Sequence, residues 1–536
     1  MTASPEPSPW PCRRELGGGN SPLARKVARL FVVRASGCWS DGQRDYPRWE
    51  ADRDTLGQQL RQLGVGGVIL LGGSAVELRQ RISWIERQAD HPLLLCADVE
   101  EGVGQRFAGA SWLPPPLSLG RLYRSNPERA LKLARRYGAA VGLEARAVGL
   151  NWVLAPCCDV NSNPRNPVIN VRAFSDEPEA AAALVHAFQQ GLGSSGVLGC
   201  AKHFPGHGDT AQDSHLLLPE LAIDGAQLER RELPPFCAAL AADCPAVMAA
   251  HLLVPLLDAE RPAGFSSTIL AGLLRQRLGF DGAIVSDALT MAAASREDED
   301  PALAALAAGC DLLLMPPALE RSIVAICAAI HDGRLSEARV DQALARRQGL
   351  LDRLAGSSTP APLTALQGKD VQGLERELVE ADLDCRGGPM AHWQGRGVNL
   401  LLLDDPFNTA PLPATAAART RPGAMGLEPL LWPLRQPLPP LRGVVLVQLW
   451  LRGHPFRGNA EAEGSLLDGL QFLQRQGQLR GLALYGNPWQ WPVLLEALPG
   501  LPMAFCCAGT PAAQAAAMAR LLPSPDTAAA GAAFTD

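Results

Sequence analysis

The chain has 536 residues, enough for two to four domains and for at least one large hydrophobic core. Its formal net charge of −6 is small for that length and gives no electrostatic argument for binding nucleic acid. Hydrophobic residues make up 47% and charged residues 19%, as in ordinary soluble proteins, and no run of apolar residues is long enough to predict a membrane span. We therefore expect neither a nucleic-acid partner nor a membrane partner, and nothing here indicates an oligomeric state.

The N-terminus and the cysteines bear on location. Residues 1–22 are rich in proline and contain no apolar signal-peptide core, so we expect a disordered N-terminus and a cytoplasmic protein. The chain has 13 cysteines, an odd number with no CxxC pair. Buried free thiols in a reducing compartment are the simplest interpretation.

Short apolar runs alternate with helix-length segments over the first two thirds of the chain. The runs are residues 30–33, 67–71, 92–97, 152–155, 197–201, 246–250, 282–285 and 312–315. Each is continuously apolar, as strands covered on both faces are. Predicted helices between and after them include residues 54–63, 127–142, 177–192, 268–278, 301–308 and 336–354. This alternation predicts a (β/α)8 TIM-type barrel over residues 23–354.

A second, smaller α/β layer domain is predicted after the barrel. Residues 355–366 begin with AGSSTPAP, a composition typical of a linker. Strand-like runs at 397–403, 443–449, 481–485 and 503–506 then alternate with helical segments at 463–475 and 511–521. The domain spans 367–522 and its strand ends carry few ionisable residues, so we assign it a structural or interface role. The alanine-rich residues 523–536 are expected to form a loose tail.

Polar residues follow several of the predicted barrel strands, at the point where each strand ends. They are Asp98, Glu100, Asp159, Asn161, Asn163, Asn166, Lys202, His203, His251, Ser286 and Asp287. A single Asp after a strand is often only a helix cap. Polar residues after five consecutive strands are better explained by a barrel, which brings all of these ends to one rim. This rim is the predicted active site.

The densest group is the stretch KHFPGHGDTAQDSH, from Lys202 to His215. Two glycines and a proline exclude a regular helix or strand beyond its first residues, so we expect a loop that leaves the end of a strand. Metal ligation is one interpretation, but the histidine spacing fits no HExxH pattern and no cysteine joins in. Structural histidines are another. Acid–base catalysis is favoured, because histidine changes charge near neutral pH and a nearby Asp can orient it.

These residues resemble the family 3 glycoside hydrolases, and among them the bacterial β-N-acetylglucosaminidases of peptidoglycan recycling. Members carry a KHFPGHG segment followed closely by DSH, which here is Lys202 to His215. They carry APxxDVNxNPxNPVI, here residues 155–169, and a strand ending in SDxLxM, here Ser286 to Met291. The resemblance covers residues 25–355 in matching order, and some members also have a second α/β domain.

The resemblance implies a role for each matching residue. Asp287 is expected to be the nucleophile that forms a glycosyl-enzyme intermediate, with His215 as acid/base and Asp213 as its partner. Residues expected to bind the sugar are Asp98, Arg106, Arg172, Lys202 and His203. No cofactor and no metal are expected. The implied substrate is a small carbohydrate, namely a muropeptide or chitooligosaccharide fragment with terminal β-linked GlcNAc.

One departure from the family pattern and three alternatives stay open. The family's DxEGGxVxR segment appears here as DVEEGVGQR, in which Glu101 replaces a glycine. If that position requires a positive φ, Glu101 would strain the turn.

The functional alternatives are a β-glucosidase or β-xylosidase of the same family, a GlcNAc phosphorylase, and an inactive sugar-binding protein on a barrel scaffold. The DSH segment argues against the glucosidase, and the retained Asp287 argues against the inactive protein.

Overall fold

The computed structural model describes residues 21–214, 216–294, 299–357, 360–403, 412–452 and 464–523. Its first domain is built on eight short parallel strands. They are β1 Phe31–Ser36, β2 Gly67–Leu71, β3 Leu94–Ala97, β4 Trp152–Val153, β5 Ala201–Phe204, β6 Ala246–Ala249, β7 Ala283–Ser286 and β8 Leu313–Leu314. Each lies on one of the predicted apolar runs or at its end.

The strands close into a barrel. Continuous pairing joins them in the order β4-β3-β2-β1-β8 and, separately, β5-β6-β7. Single parallel bridges, Trp152 to Leu198 and Val285 to Leu312, connect the two groups at both seams. A closed circle has no free strand edge, so the backbone hydrogen bonds of the short strands are satisfied. The predicted TIM-type barrel is confirmed.

Helices surround the barrel and cover the second domain. Those of the first domain are α1 Pro22–Ala28, α2 Arg53–Gln58, α3 Ala75–Glu86, α4 Leu117–Tyr123, α5 Pro127–Val148, α6 Pro178–Ser194, α7 Gly225–Gln227, α8 Leu233–Ala241, α9 Pro301–Ala308, α10 Leu319–His331 and α11 Glu337–Leu354. Three π-helical segments, Gln59–Leu63, Leu228–Glu232 and Thr268–Arg277, belong to the same layer. In the described part of the chain, no helix is long and apolar enough to cross a membrane.

Alternation along the strands separates an inner core from an outer one. Val32, Met248 and Leu314 belong to the apolar cluster inside the barrel. Phe31 and Val33, the neighbours of Val32 on β1, belong instead to the large cluster between strands and helices. Successive strand side chains point to opposite faces, so both faces of each strand must be apolar. This explains why the runs are continuously hydrophobic and could be recognised in the sequence.

Strand β5 differs from the expectation, because it begins at Ala201 and includes Lys202 and His203. The apolar run before it does hydrogen-bond to the segment around β4, as in the bond from the Leu198 amide to the Asn151 carbonyl. Two polar residues nevertheless continue as strand, because carboxylates inside the barrel mouth pair with them. The first part of the motif is therefore held on rigid strand and only the rest on the loop.

The second domain is an α/β layer built on a six-stranded sheet of order β11-β10-β12-β13-β14-β9. Its strands are β9 Asp384–Arg386, β10 Gly397–Leu403, β11 Leu427–Pro433, β12 Val444–Leu451, β13 Leu479–Gly486 and β14 Met503–Cys506. Its helices are α12 Lys369–Asp382, α13 Ala417–Ala424, α14 Gly464–Arg475, α15 Gln490–Ala497 and α16 Pro511–Leu521. Only β9 runs antiparallel. The predicted α/β layer domain is confirmed, whereas the boundaries 23–354 and 367–522 stay predictions.

The two domains share a packed and charged interface. Leu117 and Val171 of the barrel domain belong to the same apolar cluster as the sheet of the second domain. On α4, Arg121 lies 2.8 Å from the buried Asp382 carboxylate at the end of α12. The same guanidinium lies 4.7 Å from the centre of the Phe505 ring. The second domain therefore packs directly against the barrel.

Candidate active site

Strands β3, β5 and β7 bring three predicted site residues to the barrel mouth. Asp98 follows the last residue of β3, Lys202 lies on β5, and Asp287 follows the last residue of β7. In a barrel the carboxyl end of every strand opens on the same rim. Asp287 is held there by its own amide, which donates to the Ala249 carbonyl of β6 at 3.1 Å.

Lys202 is the centre of a buried charge cluster. Its ammonium lies 2.6 Å from an Asp98 oxygen and 2.6 Å from a Glu100 oxygen, with 1% of the side chain exposed. Arg172 binds the same Glu100 carboxylate with two nitrogens, at 2.8 and 2.9 Å. Two cations thus face two carboxylates, and the fork of Arg172 fixes the orientation of Glu100.

Charge pairing sets the protonation of this cluster. Burial by itself would raise the pKa of Glu100, but the charges of Arg172 and Lys202 outweigh it and hold that pKa well below its usual range. Burial would likewise lower the pKa of Lys202, and the Asp98 and Glu100 carboxylates raise it instead. Glu100 and Lys202 are therefore charged at neutral pH, and the cluster presents fixed donors and acceptors of the kind that bind sugar hydroxyls.

A second buried network joins two histidines of the motif through Asp159. The His203 Nδ1 lies 2.7 Å from one Asp159 oxygen. The His207 amide donates to the other Asp159 oxygen at 2.7 Å. His203 also links this network to the charge cluster, because its Nε2 lies 3.3 Å from an Arg172 nitrogen. Burial would raise the pKa of Asp159, but the charge and hydrogen bond of His203 lower it.

His207 is a structural member of the network. Burial lowers its pKa to about 4, although the charges of Asp159 and Asp287 act in the opposite direction. The ring is therefore neutral at pH 7, with Nδ1 2.7 Å from the Thr210 hydroxyl and Nε2 3.1 Å from the Ser214 hydroxyl. Both ring nitrogens are used in holding the loop that continues to Asp213.

The motif glycines allow the loop to pack tightly onto its support. Gly206 has φ +136°, and a Cβ there would collide with the Glu232 carboxylate. A Cβ on Gly208 would overlap the Val160 backbone. Glu232 is fully buried and bonded to Arg231 at 2.7 Å, and burial raises the pKa of its carboxyl to about 7. Arg231 also binds Asp209 of the motif at 2.6 Å, so this pair fixes the loop from below.

The predicted catalytic dyad is described in part. Asp213 is buried, with 5% of its surface exposed. Its carbonyl accepts hydrogen bonds from the amides of Leu216 and Leu217, each at 3.0 Å. His215 lies outside the described residues. The pairing of Asp213 with His215 therefore stays a prediction.

Arg106 and the neighbouring turn differ from the simplest expectation. The Arg106 side chain is exposed, and its Nε donates to the Asp98 carbonyl at 3.0 Å. Glu101 is not among the described residues with a positive φ, and it is Gly102 that takes φ +89°. Glu101 therefore does not strain the turn. Its buried carboxylate instead binds the Trp112 indole at 2.9 Å and the Arg452 guanidinium of the second domain.

Among the residues that the structure describes, one group has atoms close enough to ligate a metal, but its geometry favours hydrogen bonding. Ligand atoms of Cys157, Asp159 and His203 lie within 4.8 Å of one another. The Asp159 carboxylate, however, already lies 2.7 Å from the His203 nitrogen and 3.1 Å from the Cys157 sulfur. Tetrahedral ligands of an ion such as zinc are held about 3.3 Å or more apart. Burial also raises the pKa of the Cys157 thiol well above its usual value, which disfavours the thiolate.

Three residues of this site were not among the predicted site residues: Glu100, Asp159 and His207. Glu100 and Asp159 did stand among the polar residues after strand ends, which was a usable signal. What the sequence could not indicate is their partners, since Glu100 meets Arg172 and Lys202 only in the folded barrel.

A barrel whose rim carries carboxylates, a lysine and histidines fits a carbohydrate-active enzyme, and comparison with protein families agrees. Residues 23–350 match the "Glycosyl hydrolase family 3 N terminal domain", and residues 391–523 match the "Bacterial Glycosyl hydrolase family 3 C-terminal domain". The chain belongs to glycosyl hydrolase family 3 and is a glycoside hydrolase. The resemblance expected from the motifs is confirmed.

Individual relatives are similar over one or both domains. A "Beta-hexosaminidase" of Chromobacterium violaceum is 42% identical over 272 residues, covering 50% of this chain and 74% of that protein. One from Thiobacillus denitrificans is 37% identical over 334 residues, covering 60% and 90%. A solved family 3 beta-N-acetylglucosaminidase from Paenibacillus sp. str. FPU-7 is 25% identical with a TM-score of 0.72, covering 92% of this chain and 95% of that one.

Proposed function

We propose that the protein is a retaining exo-β-N-acetylglucosaminidase. It removes terminal β-linked GlcNAc from muropeptide or chitooligosaccharide fragments in the cytoplasm. The observation that carries the proposal is Asp287 at the end of β7, on the same rim as the buried Lys202 cluster and two strands from the loop with Asp213. The relatives named beta-hexosaminidase, 42% and 37% identical to this chain, support the sugar.

The reaction proceeds in two displacements. In the first, an Asp287 oxygen attacks the anomeric carbon while the glycosidic C–O bond breaks, and His215 gives its proton to the departing oxygen. In the second, His215 takes a proton from water, the water oxygen attacks the same carbon, and Asp287 leaves. The configuration at the anomeric carbon is inverted twice and therefore retained.

Histidine suits the acid/base role at neutral pH. A carboxylic acid must have its pKa raised considerably to remain protonated near pH 7, whereas imidazole already titrates there. The buried Asp213 holds one tautomer of His215 and stabilises its charged form, as the acidic residue of a serine-protease triad does for its histidine.

The buried charges bind the sugar in this scheme. Asp98, Lys202 and Arg172 already have their charges compensated, so they can bind hydroxyl groups without leaving an unpaired ion in a closed pocket. His203 and the exposed Arg106 complete the set. Because the set is held by mutual hydrogen bonds before sugar arrives, little side-chain freedom is lost on binding.

Hydrolysis of two substrates tests the sugar preference. We expect the enzyme to cleave 4-nitrophenyl β-GlcNAc much faster than 4-nitrophenyl β-glucoside, with the released GlcNAc formed initially as the β-anomer. Cleavage of the glucoside alone would assign the chain to the β-glucosidase alternative. Formation of GlcNAc 1-phosphate in phosphate buffer would assign it to the phosphorylase alternative.

Matched substitutions test the roles of the two catalytic groups. Asp287→Ala should abolish turnover. Asp281→Ala is the matched control, because Asp281 is exposed at the opposite end of the same strand segment, and this variant should keep its turnover. His215→Ala should be slow and should recover most with leaving groups that need no proton, while the exposed His331→Ala behaves as wild type. Unchanged turnover in Asp287→Ala would contradict the proposal.

A further inference from the structure

The loop after β1, residues 37–52, lies at the barrel mouth and is not used by the mechanism. Arg34 is two residues beyond Val32 on β1, and Val32 belongs to the cluster inside the barrel. Because alternate strand residues share a face, Arg34 also faces the interior, one layer nearer the mouth. Only 16% of its side chain is exposed. The loop therefore rises directly above an inward-facing cation.

Two aromatic rings of this loop form an exposed stack on that cation. The guanidinium carbon of Arg34 lies 4.9 Å from the centre of the Tyr46 ring. The rings of Tyr46 and Trp49 lie 5.9 Å apart with 28° between their planes. Tyr46 is 43% exposed and Trp49 41% exposed. Two adjacent exposed rings form a contiguous apolar patch, and such patches, unlike single exposed residues, mark binding surfaces.

The stack is held in place by a buried carboxylate. Glu50 is 2% exposed, lies 3.5 Å from an Arg34 nitrogen, and accepts a hydrogen bond from the Tyr46 amide at 3.2 Å. Arg44 binds the Glu50 carbonyl at 2.8 Å. These bonds fix the loop, and since Arg34 and Trp49 both lie against the Tyr46 ring, Tyr46 in turn supports the exposed Trp49 ring. The rings are thus positioned before any ligand binds, which lowers the entropic cost of a contact with them.

The loop is continuous with the segment that carries Asp98 and Arg106. The edge of the Phe107 ring lies so close to Gly37 that a Cβ there would stand 2.9 Å from it. The next residue of that segment, Ala108, donates to the Gly73 carbonyl at 3.0 Å. The loop that carries the rings and the segment that carries Asp98 and Arg106 are therefore neighbours at the rim, on the side of β1.

We propose that Tyr46 and Trp49 form a binding subsite for the pyranose ring on the leaving-group side of the scissile bond. One face of such a ring is a patch of C–H groups that stacks on aromatic side chains, while its hydroxyls stay in water. The open, wet position of the stack suits this amphipathic ligand better than a fully apolar one. The inference rests on the proposed function for its substrate class, and it adds that the second sugar is recognised.

Two substrates that differ only in the leaving group test the subsite. N,N′-diacetylchitobiose places a pyranose over the rings, and methyl β-GlcNAc has an aglycone too small to reach them. We expect Tyr46→Ala combined with Trp49→Ala to lower kcat/KM for chitobiose about tenfold and to leave methyl β-GlcNAc within about twofold. Tyr46→Phe, which keeps the ring, should restore chitobiose hydrolysis when Trp49 is intact.

The controls separate failure of the subsite from failure of the proposed function. Phe472→Ala removes another exposed ring, 54% exposed, from the second domain and should change kcat/KM for neither substrate. An equal loss for both substrates in the double variant, or no loss for either, would overturn the subsite while leaving the hydrolase assignment intact. If the wild type cleaves neither substrate, the proposed function itself fails. A change of oligomeric state in the double variant would overturn the subsite in favour of a contact between two copies of the chain.

Discussion

The buried pair between Glu101 and Arg452 gives the most informative stability prediction. The two residues are far apart in the chain and belong to different domains, and the Glu101 carboxylate is fully buried. Arg452→Gln would leave that carboxylate with the Trp112 indole as its one remaining partner among those described above. The neighbouring residue, Glu100, binds Lys202 and Arg172, so the disturbance begins one residue from the proposed sugar site.

The size of the effect follows from burial. Removing one partner of a buried ion pair costs about 3–5 kcal/mol, and the 33% exposure of the Arg452 side chain places this pair at about 3 kcal/mol. Glu101→Gln is milder, about 1 kcal/mol, because the amide oxygen still accepts from Arg452. We therefore expect the single arginine substitution to be the more harmful, and the double substitution to recover part of the loss.

Equilibrium urea unfolding together with steady-state kinetics measures both consequences. Arg452→Gln should lower the midpoint of the first unfolding transition and raise KM more than it lowers kcat. Arg121→Gln breaks the other interdomain pair described above, with Asp382, and should lower the midpoint without changing KM. The reasoning is wrong if the free energy of unfolding of Arg452→Gln lies within about 0.5 kcal/mol of the wild-type value. It is also wrong if Arg452→Gln loses no more stability than Glu101→Gln.

Two further predictions concern pH. Burial raises the pKa of Glu232 to about 7 in the folded protein, so its contribution to stability is full below its unfolded pKa near 4.5 and is lost as pH rises through 7. Glu232→Gln should therefore be more stable than wild type at pH 8, by up to about 3 kcal/mol, but not at pH 4. Urea unfolding at each pH measures the difference. Glu100 has a depressed pKa and contributes stability that is lost as pH falls through its folded pKa. Lys202→Met removes one of the cations that depress this pKa, so the variant should unfold in acid at a higher pH than wild type, as followed by circular dichroism. An unchanged acid midpoint would contradict the assigned cause.

The barrel strands were predictable because burial on both faces makes each of them continuously apolar. Continuous apolarity did not indicate two strands of the second domain. β11, Leu427–Pro433, contains two prolines and was missed, and it is tolerated because it lies at an edge of its sheet. β9 is short and polar and pairs at the opposite edge.

The site was predictable in its strand ends and not in its pairings. Asp98, Lys202 and Asp287 could be assigned to one rim, because a barrel brings all carboxyl ends together. From the sequence, Glu101 could be considered only as a source of strain if its position required a positive φ, since a local pattern cannot reveal a partner in another domain. Its actual role depends on Arg452, and no periodicity or motif spacing encodes that contact.

Trapping the covalent intermediate tests the central claim most directly. A 5-fluoro-β-GlcNAc fluoride slows both displacements, while its good leaving group lets the first proceed, so the glycosyl-enzyme accumulates. Mass spectrometry of the intact protein followed by peptide mapping then locates the sugar. We predict one glycosyl group per chain, attached to Asp287. A label on any other carboxylate, or an active enzyme that never carries one, would contradict the account.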